Sequence, residues 1–184
     1  EHIFRDYQFS KDGKVALPRG VIQGQRIELL FRRLLAPAWQ IRDFDDLPIP
    51  FRAVATDLLT GEKVVFGEGD LVKAIRASMS VQGVFAPVRV DGRLLVDGGI
   101  VDNVPLDEAR NLGAERLIVS RVGSPFLTED QLGSPLAVSQ QVTYVLMRRV
   151  IEMQLATLGP DDLLLQPDLG DITSQDFNRS VQAA

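Results

Sequence analysis

An aspartate followed by two glycines, Asp97-Gly98-Gly99, stands directly after the apolar run Leu94-Leu95-Val96. In an open α/β sheet the reactive groups sit on loops just past the carboxyl ends of the strands. Glycines there open backbone angles closed to other residues and let a second loop come close. A carboxylate in that position, with room beside it, is well placed to accept a proton. The same residues also suit a plain turn, and the pattern alone leaves both readings open. Three more carboxylates, Asp43, Asp45 and Asp46, cluster in one loop. They lack the glycine-punctuated spacing of a cation loop, so capping and solubility are their expected roles.

Other chemistries are closed by what the chain lacks. It has no cysteine, and His2 is its one histidine. Thiol catalysis, disulfides, a Ser-His-Asp triad and a multi-histidine metal site therefore cannot be built within it. His2 reads as a solvated terminal residue. No Gly-x-Ser-x-Gly occurs. Gly123-Ser124-Pro125 and Gly133-Ser134-Pro135 lack the second glycine, and their prolines have no backbone N–H to offer an oxyanion. The net charge is −5, from 20 Lys+Arg against 25 Asp+Glu, with no clustered basic face, which argues against a nucleic-acid partner. Composition is 45% hydrophobic and 24% charged, enough to bury a core. No stretch of about 18 apolar residues suggests a membrane span. The start, Glu1-His2-Ile3-Phe4-Arg5-Asp6, has no initiator methionine, basic segment or apolar leader, and reads as a point inside a longer polypeptide.

The elements that must position the aspartate follow from periodicity and punctuation. Lys11-Asp12-Gly13-Lys14 is a polar turn. Ile27, Leu30, Phe31 and Leu34 recur at helical spacing until Pro37, with Arg26, Arg32 and Arg33 as a solvated face. Residues 39–50 read as a loop. Phe51-Arg52-Ala53-Val54-Ala55-Thr56-Asp57 predicts a strand, Thr60-Gly61 a turn, and 63–66 a second strand. Asp70 caps a helix over about 71–79. Val88-Arg89-Val90, Asp91-Gly92 and Arg93-Leu94-Leu95-Val96 form a hairpin with a type I′ turn. A short helix over 105–112 ends at Gly113, and 116–122 is a buried-type strand. The strand–loop–helix–strand order predicts a parallel βαβ unit and a layered α/β architecture. Ser134-Pro135 opens a long helix whose stripe, Val138, Val142, Val145, Leu146, Val150 and Met153, is expected to pack in the core. Leu163-Leu164-Leu165 is a last strand, and 174–184 starts another helix. With no linker or repeat, 1–184 reads as one continuous domain.

Several blocks resemble patatin-like phospholipases of bacteria. They include Ala77-Ser78-Met79-Ser80-Val81-Gln82-Gly83-Val84-Phe85-Ala86-Pro87-Val88 and Leu95-Val96-Asp97-Gly98-Gly99-Ile100-Val101-Asp102-Asn103-Val104-Pro105-Leu106. The strand block at 51–57 with Thr60-Gly61-Glu62, Leu17-Pro18-Arg19-Gly20 with Gly24-Gln25, and Gln166-Pro167-Asp168-Leu169 with Asp176-Phe177 follow in register. The resemblance implies a three-layer α/β/α sandwich, of which 1–184 is the C-terminal portion. It also implies a Ser-Asp dyad: a serine on a Gly-x-Ser-x-Gly elbow attacks the ester, Asp97 is its base, Gly98 and Gly99 form the supporting loop, and a glycine-rich loop supplies the oxyanion hole. A dyad needs no histidine. In the family the elbow and the oxyanion loop precede everything present here, so the partner implied for this chain is the N-terminal fragment of the same domain. Gln82 stands where the family commonly has proline, Asp102 where it has asparagine, and Ser120-Arg121 where it has a small-acidic pair.

The implied activity is lipid acyl hydrolysis of phospholipase A or esterase type. The substrate is a phospholipid or other lipid ester, peripheral membrane contact is admitted, and no metal or organic cofactor is required. The alternative is a non-catalytic module of the same fold, with a binding or regulatory role. Head group, acyl length and compartment, bacterial cytoplasm or outside, are left open.

Overall fold

The computed structural model describes residues 8–9, 15–16, 24–82, 84–123 and 125–167. The chain mixes helices and strands in an α/β fold, and it divides into two compact units, Glu1–Asp102 and Asn103–Ala184.

In the first unit, β1 (Gln8–Phe9) and β2 (Val15–Ala16) form a small antiparallel pair; the polar turn expected between them lies outside the described residues. Helix α1 spans Gln25–Leu34, and Pro37 falls in a separate 3-10 turn at Ala36–Ala38. Asp43 caps a second 3-10 turn, Phe44–Asp46, and Asp45 pairs with Arg52 at 2.6 Å. The carboxylate cluster therefore does the capping and surface work its sequence suggests.

Four strands make the main sheet: β3 (Ala53–Asp57), β4 (Lys63–Phe66), β5 (Val88–Val90) and β6 (Arg93–Asp97), in the order β4-β3-β6-β5 and antiparallel throughout. The β5–β6 hairpin turns on Asp91 and Gly92, both at positive φ (48° and 81°), as a type I′ turn demands. Helix α2 (Leu71–Ser78) starts at Asp70, whose carboxylate accepts from the N–H groups of Val72 and Lys73. Ala77 of α2 packs with Ala55 of β3 and Leu95 of β6. Those two alanines let the helix backbone ride close to the sheet. Every position of β3 is buried; β4 and β6 flank it and α2 packs on it.

The second unit holds α3 (Leu106–Asn111), β7 (Ile118–Ser120), α4 (Pro135–Leu155) and β8 (Leu163–Leu165). Its core is Leu106, Leu117 and Val119, packed by Leu155, Leu158 and Leu164. Asp162 ties it together: its carboxylate accepts from the N–H groups of Gly159 and Leu117 and from the Arg110 guanidinium, at 2.8–2.9 Å. The two backbone donors first, and then Arg110, hold that carboxyl below the usual aspartate range.

Two expectations are corrected. The parallel unit is β7–α4–β8, with Ile118 opposite Leu163, and not β6–α3–β7. β6 already has β3 on one side and β5 on the other, so neither of its edges is open to another strand. The α4 stripe is also not core: Val142, Leu146 and Met153 are 53%, 62% and 66% exposed, and only Ile151 of the helix is buried. Two three-residue strands are too short to cover a 21-residue helix. No helix among the described residues is long and apolar enough to cross a membrane. The helix expected over 174–184 lies outside the described residues.

Candidate active site

The residues around Asp97 explain its placement. The apolar run Leu94-Leu95-Val96 is buried between strands, and Asp97 closes β6 opposite Ala55 of β3. Three bonds fix it. Its backbone N–H donates to the Ser80 carbonyl at 3.0 Å, and its carbonyl accepts from Thr56 Oγ1 at 2.9 Å. Its Oδ1 accepts from the Gly99 N–H at 2.7 Å, capping the 3-10 turn Gly98–Ile100. The turn reading of Asp97-Gly98-Gly99 is thus what the hydrogen bonds show, and it uses one of the roughly four acceptor sites a carboxylate offers.

Gly98 is required by close approach. A Cβ there would run into the Val54 carbonyl oxygen of β3, so only glycine lets the loop lie so tightly on the neighbouring strand. Its own carbonyl accepts from the N–H groups of Val101 and Asp102, which closes the turn. The buried Asp102 carboxylate pairs with Lys63 Nζ at 3.1 Å.

Asp97 is half-buried, and desolvation pushes its pKa above the ordinary aspartate value, the Gly99 bond opposing in part. Among the described residues no cation pairs with it. A carboxylate with a raised pKa, held by its backbone and with an oxygen uncommitted, is a better proton acceptor than a solvated aspartate. The same residues hold no group of three or more side chains able to bind a metal ion.

The structure thus brings Asp97, Gly98 and Gly99 together in one loop. Ser134 caps α4 by accepting from the Ala137 N–H, and Ser124 and His2 are outside the described residues. A groove of about 480 Å³ in the first unit is lined by Trp39, Arg42, Leu71 and neighbours rather than by the Asp97 loop. Sequence reading gave no role to Arg76, Ser80 or Thr56. The signal for Arg76 was its spacing: four residues after Val72 and four before Ser80, on the inward face of α2.

Residues 3–110, more than half of the chain and including the Asp97 loop, match the Patatin-like phospholipase family. The chain belongs to that family. An NTE family protein of Mycobacterium tuberculosis is 44% identical to it over 106 residues, 57% of this chain and 28% of that protein. Patatin-like phospholipase domain-containing protein 7 of Mus musculus and protein 6 of Homo sapiens are each 38% identical over 96 residues, 51% of this chain and 7% of theirs. The chain therefore spans under a third of the mycobacterial relative and a small part of the mammalian ones.

Proposed function

We propose that this patatin-like chain supplies the base of a lipid acyl hydrolase, of phospholipase A or esterase type, with Asp97 serving a serine carried on polypeptide outside these 184 residues. In this reading residues 1–184 are the C-terminal part of one three-layer patatin-like domain. The serine Oγ attacks the ester carbonyl carbon while its proton passes to Asp97. Collapse of the tetrahedral intermediate expels the alcohol, which takes that proton. Water then attacks the acyl-serine, Asp97 again accepting a proton and returning it to the serine. The substrate is a lipid ester, so contact with a lipid surface belongs to the reading.

The observation that carries it is the state of Asp97: half-buried, raised in pKa by desolvation, without a cation partner among the described residues, and held by hydrogen bonds with Thr56 of β3, Ser80 and Gly99. Asp102 and Asp162, by contrast, are each paired with a cation. Membership of a phospholipase family supports the substrate class. The non-catalytic reading draws on one fact, the absence of Gly-x-Ser-x-Gly from these residues. The sequence encoded upstream of Glu1 decides between the two.

The test is Asp97→Asn in the complete protein. Ester hydrolysis is expected to fall by roughly 10²–10⁴-fold, the usual contribution of a general base, with the fold intact. A folded variant of undiminished activity would sink the proposal.

A further inference from the structure

Arg76 is 3% exposed in the interior of α2, an unusual place for a cation. Burial lowers its pKa, and such a group persists only where its donors are satisfied. Its Nη1 donates to Ser80 Oγ at 2.7 Å, its Nη2 reaches the Ala86 carbonyl at 3.5 Å, and its guanidinium lies 4.7 Å from the centre of the Phe85 ring. Gly24, at φ 77°, leaves the space: a Cβ there would strike the guanidinium.

Ser80 is fully buried. Its hydroxyl donates to the Arg76 carbonyl at 2.7 Å while accepting from the Arg76 guanidinium, so its single proton and a lone pair are both engaged by one residue. The serine cannot turn without breaking both bonds. Its carbonyl is the acceptor for the Asp97 N–H. Since the Asp97 carboxylate is bonded, among the described residues, just two residues onward, at Gly99, its direction depends on where the Asp97 backbone is held.

We infer that Arg76 is a positioning residue for Asp97, acting through Ser80: the guanidinium locks Ser80, and the Ser80 carbonyl sets the backbone from which the Asp97 carboxylate projects. A cation inside the helix thereby orients the carboxylate without neutralising it as a direct ion pair would. The inference rests on the reading of Asp97 as a base, although the coupling itself is physical and measurable without turnover.

The test compares the complete protein with its Ser80→Ala and Arg76→Met variants. Two quantities are measured: the titration of the Asp97 carboxyl by carbon-13 NMR, and kcat and KM for a lipid ester. Loss of the lock lets Asp97 swing toward water, so its titration is expected to move down toward the ordinary aspartate range. kcat should fall by up to about 10²-fold, as small misplacements of a reacting group do, with KM held. Ser80→Ala removes one oxygen and keeps the test usable if Arg76→Met does not fold. A Ser80→Ala protein that melts lower yet keeps the parent's Asp97 titration and kcat would overturn the inference, leaving Arg76 a purely structural residue. A shifted titration with unchanged kcat would uphold the Arg76 link and remove Asp97 from the role of base.

Discussion

Asp97 carries opposing demands at the scale of one residue. A carboxyl whose folded pKa lies above its unfolded value binds its proton more tightly when folded. Its favourable contribution is present below the unfolded pKa and is lost as pH rises through the folded pKa. At neutral pH the ionised, desolvated Asp97 is therefore expected to lower stability. The neutral isostere in Asp97→Asn can still accept from Gly99, so its melting temperature at pH 7 should equal or exceed the parent's. That gain should shrink toward pH 3.8, the ordinary aspartate value. Thermal scans across pH read it directly; an Asn variant that melts lower at pH 7 than the parent contradicts the desolvation argument. Hydrolysis by the complete protein should lose rate toward acid with an apparent pKa above that ordinary value. Gly98→Ala forces a Cβ onto the Val54 carbonyl oxygen, and overpacking of this kind costs about 1–3 kcal/mol, measurable by urea denaturation.

Among the elements, α2 and the β7–α4–β8 unit each depend on one aspartate. Asp70→Ala removes the acceptor for two N–H groups at the start of α2 and is expected to destabilise by about 0.5–2 kcal/mol in denaturant titrations. Asp162 works with the opposite sign to Asp97. Its folded pKa is depressed, so its contribution is present above the unfolded pKa and is lost as pH falls through the folded one. Asp162→Ala should lower the melting temperature at pH 7, with the difference from the parent closing in strong acid. A constant difference at every pH would mean that packing, not the carboxylate bonds, makes the contribution. The β5–β6 hairpin was legible in the residues because Asp91-Gly92 specifies a turn by local backbone angles. The parallel unit was not legible, since the partner of β7 is decided by which strand edges remain open.

For the molecule as a whole, the uncovered apolar surface matters most. The α4 stripe is bare, and Ile118 of β7 is 74% exposed beside half-exposed Leu163 and Leu165 of β8. Such patches drive association. Purified residues 1–184 are expected to self-associate in light scattering, and Leu146→Glu should reduce this by placing a charge within the stripe. The same polypeptide should turn over no p-nitrophenyl ester, because Asp97 without a positioned serine has only water to deprotonate. Adding a serine-bearing upstream fragment should restore turnover. An active monomer of 1–184 alone would refute the dyad and the exposed-surface argument together.

Residue type and spacing determined the family blocks, the candidate base at Asp97, the Asp70 and Ser134 caps, the Asp-Gly hairpin and the fact that these 184 residues cannot by themselves build a histidine-based triad. These are local properties, set by the backbone angles a residue allows, by the hydrogen bonds it makes within a few positions, or by the presence of a functional group. Tertiary structure alone decided that β3 rather than β7 flanks β6, that the α4 stripe lies open, and that a buried arginine grips Ser80 beneath the Asp97 loop. Each of those depends on which surfaces meet. A valine stripe reads the same whether or not a neighbour covers it, and Arg76 becomes a tie to Asp97 only once α2 lies against β6.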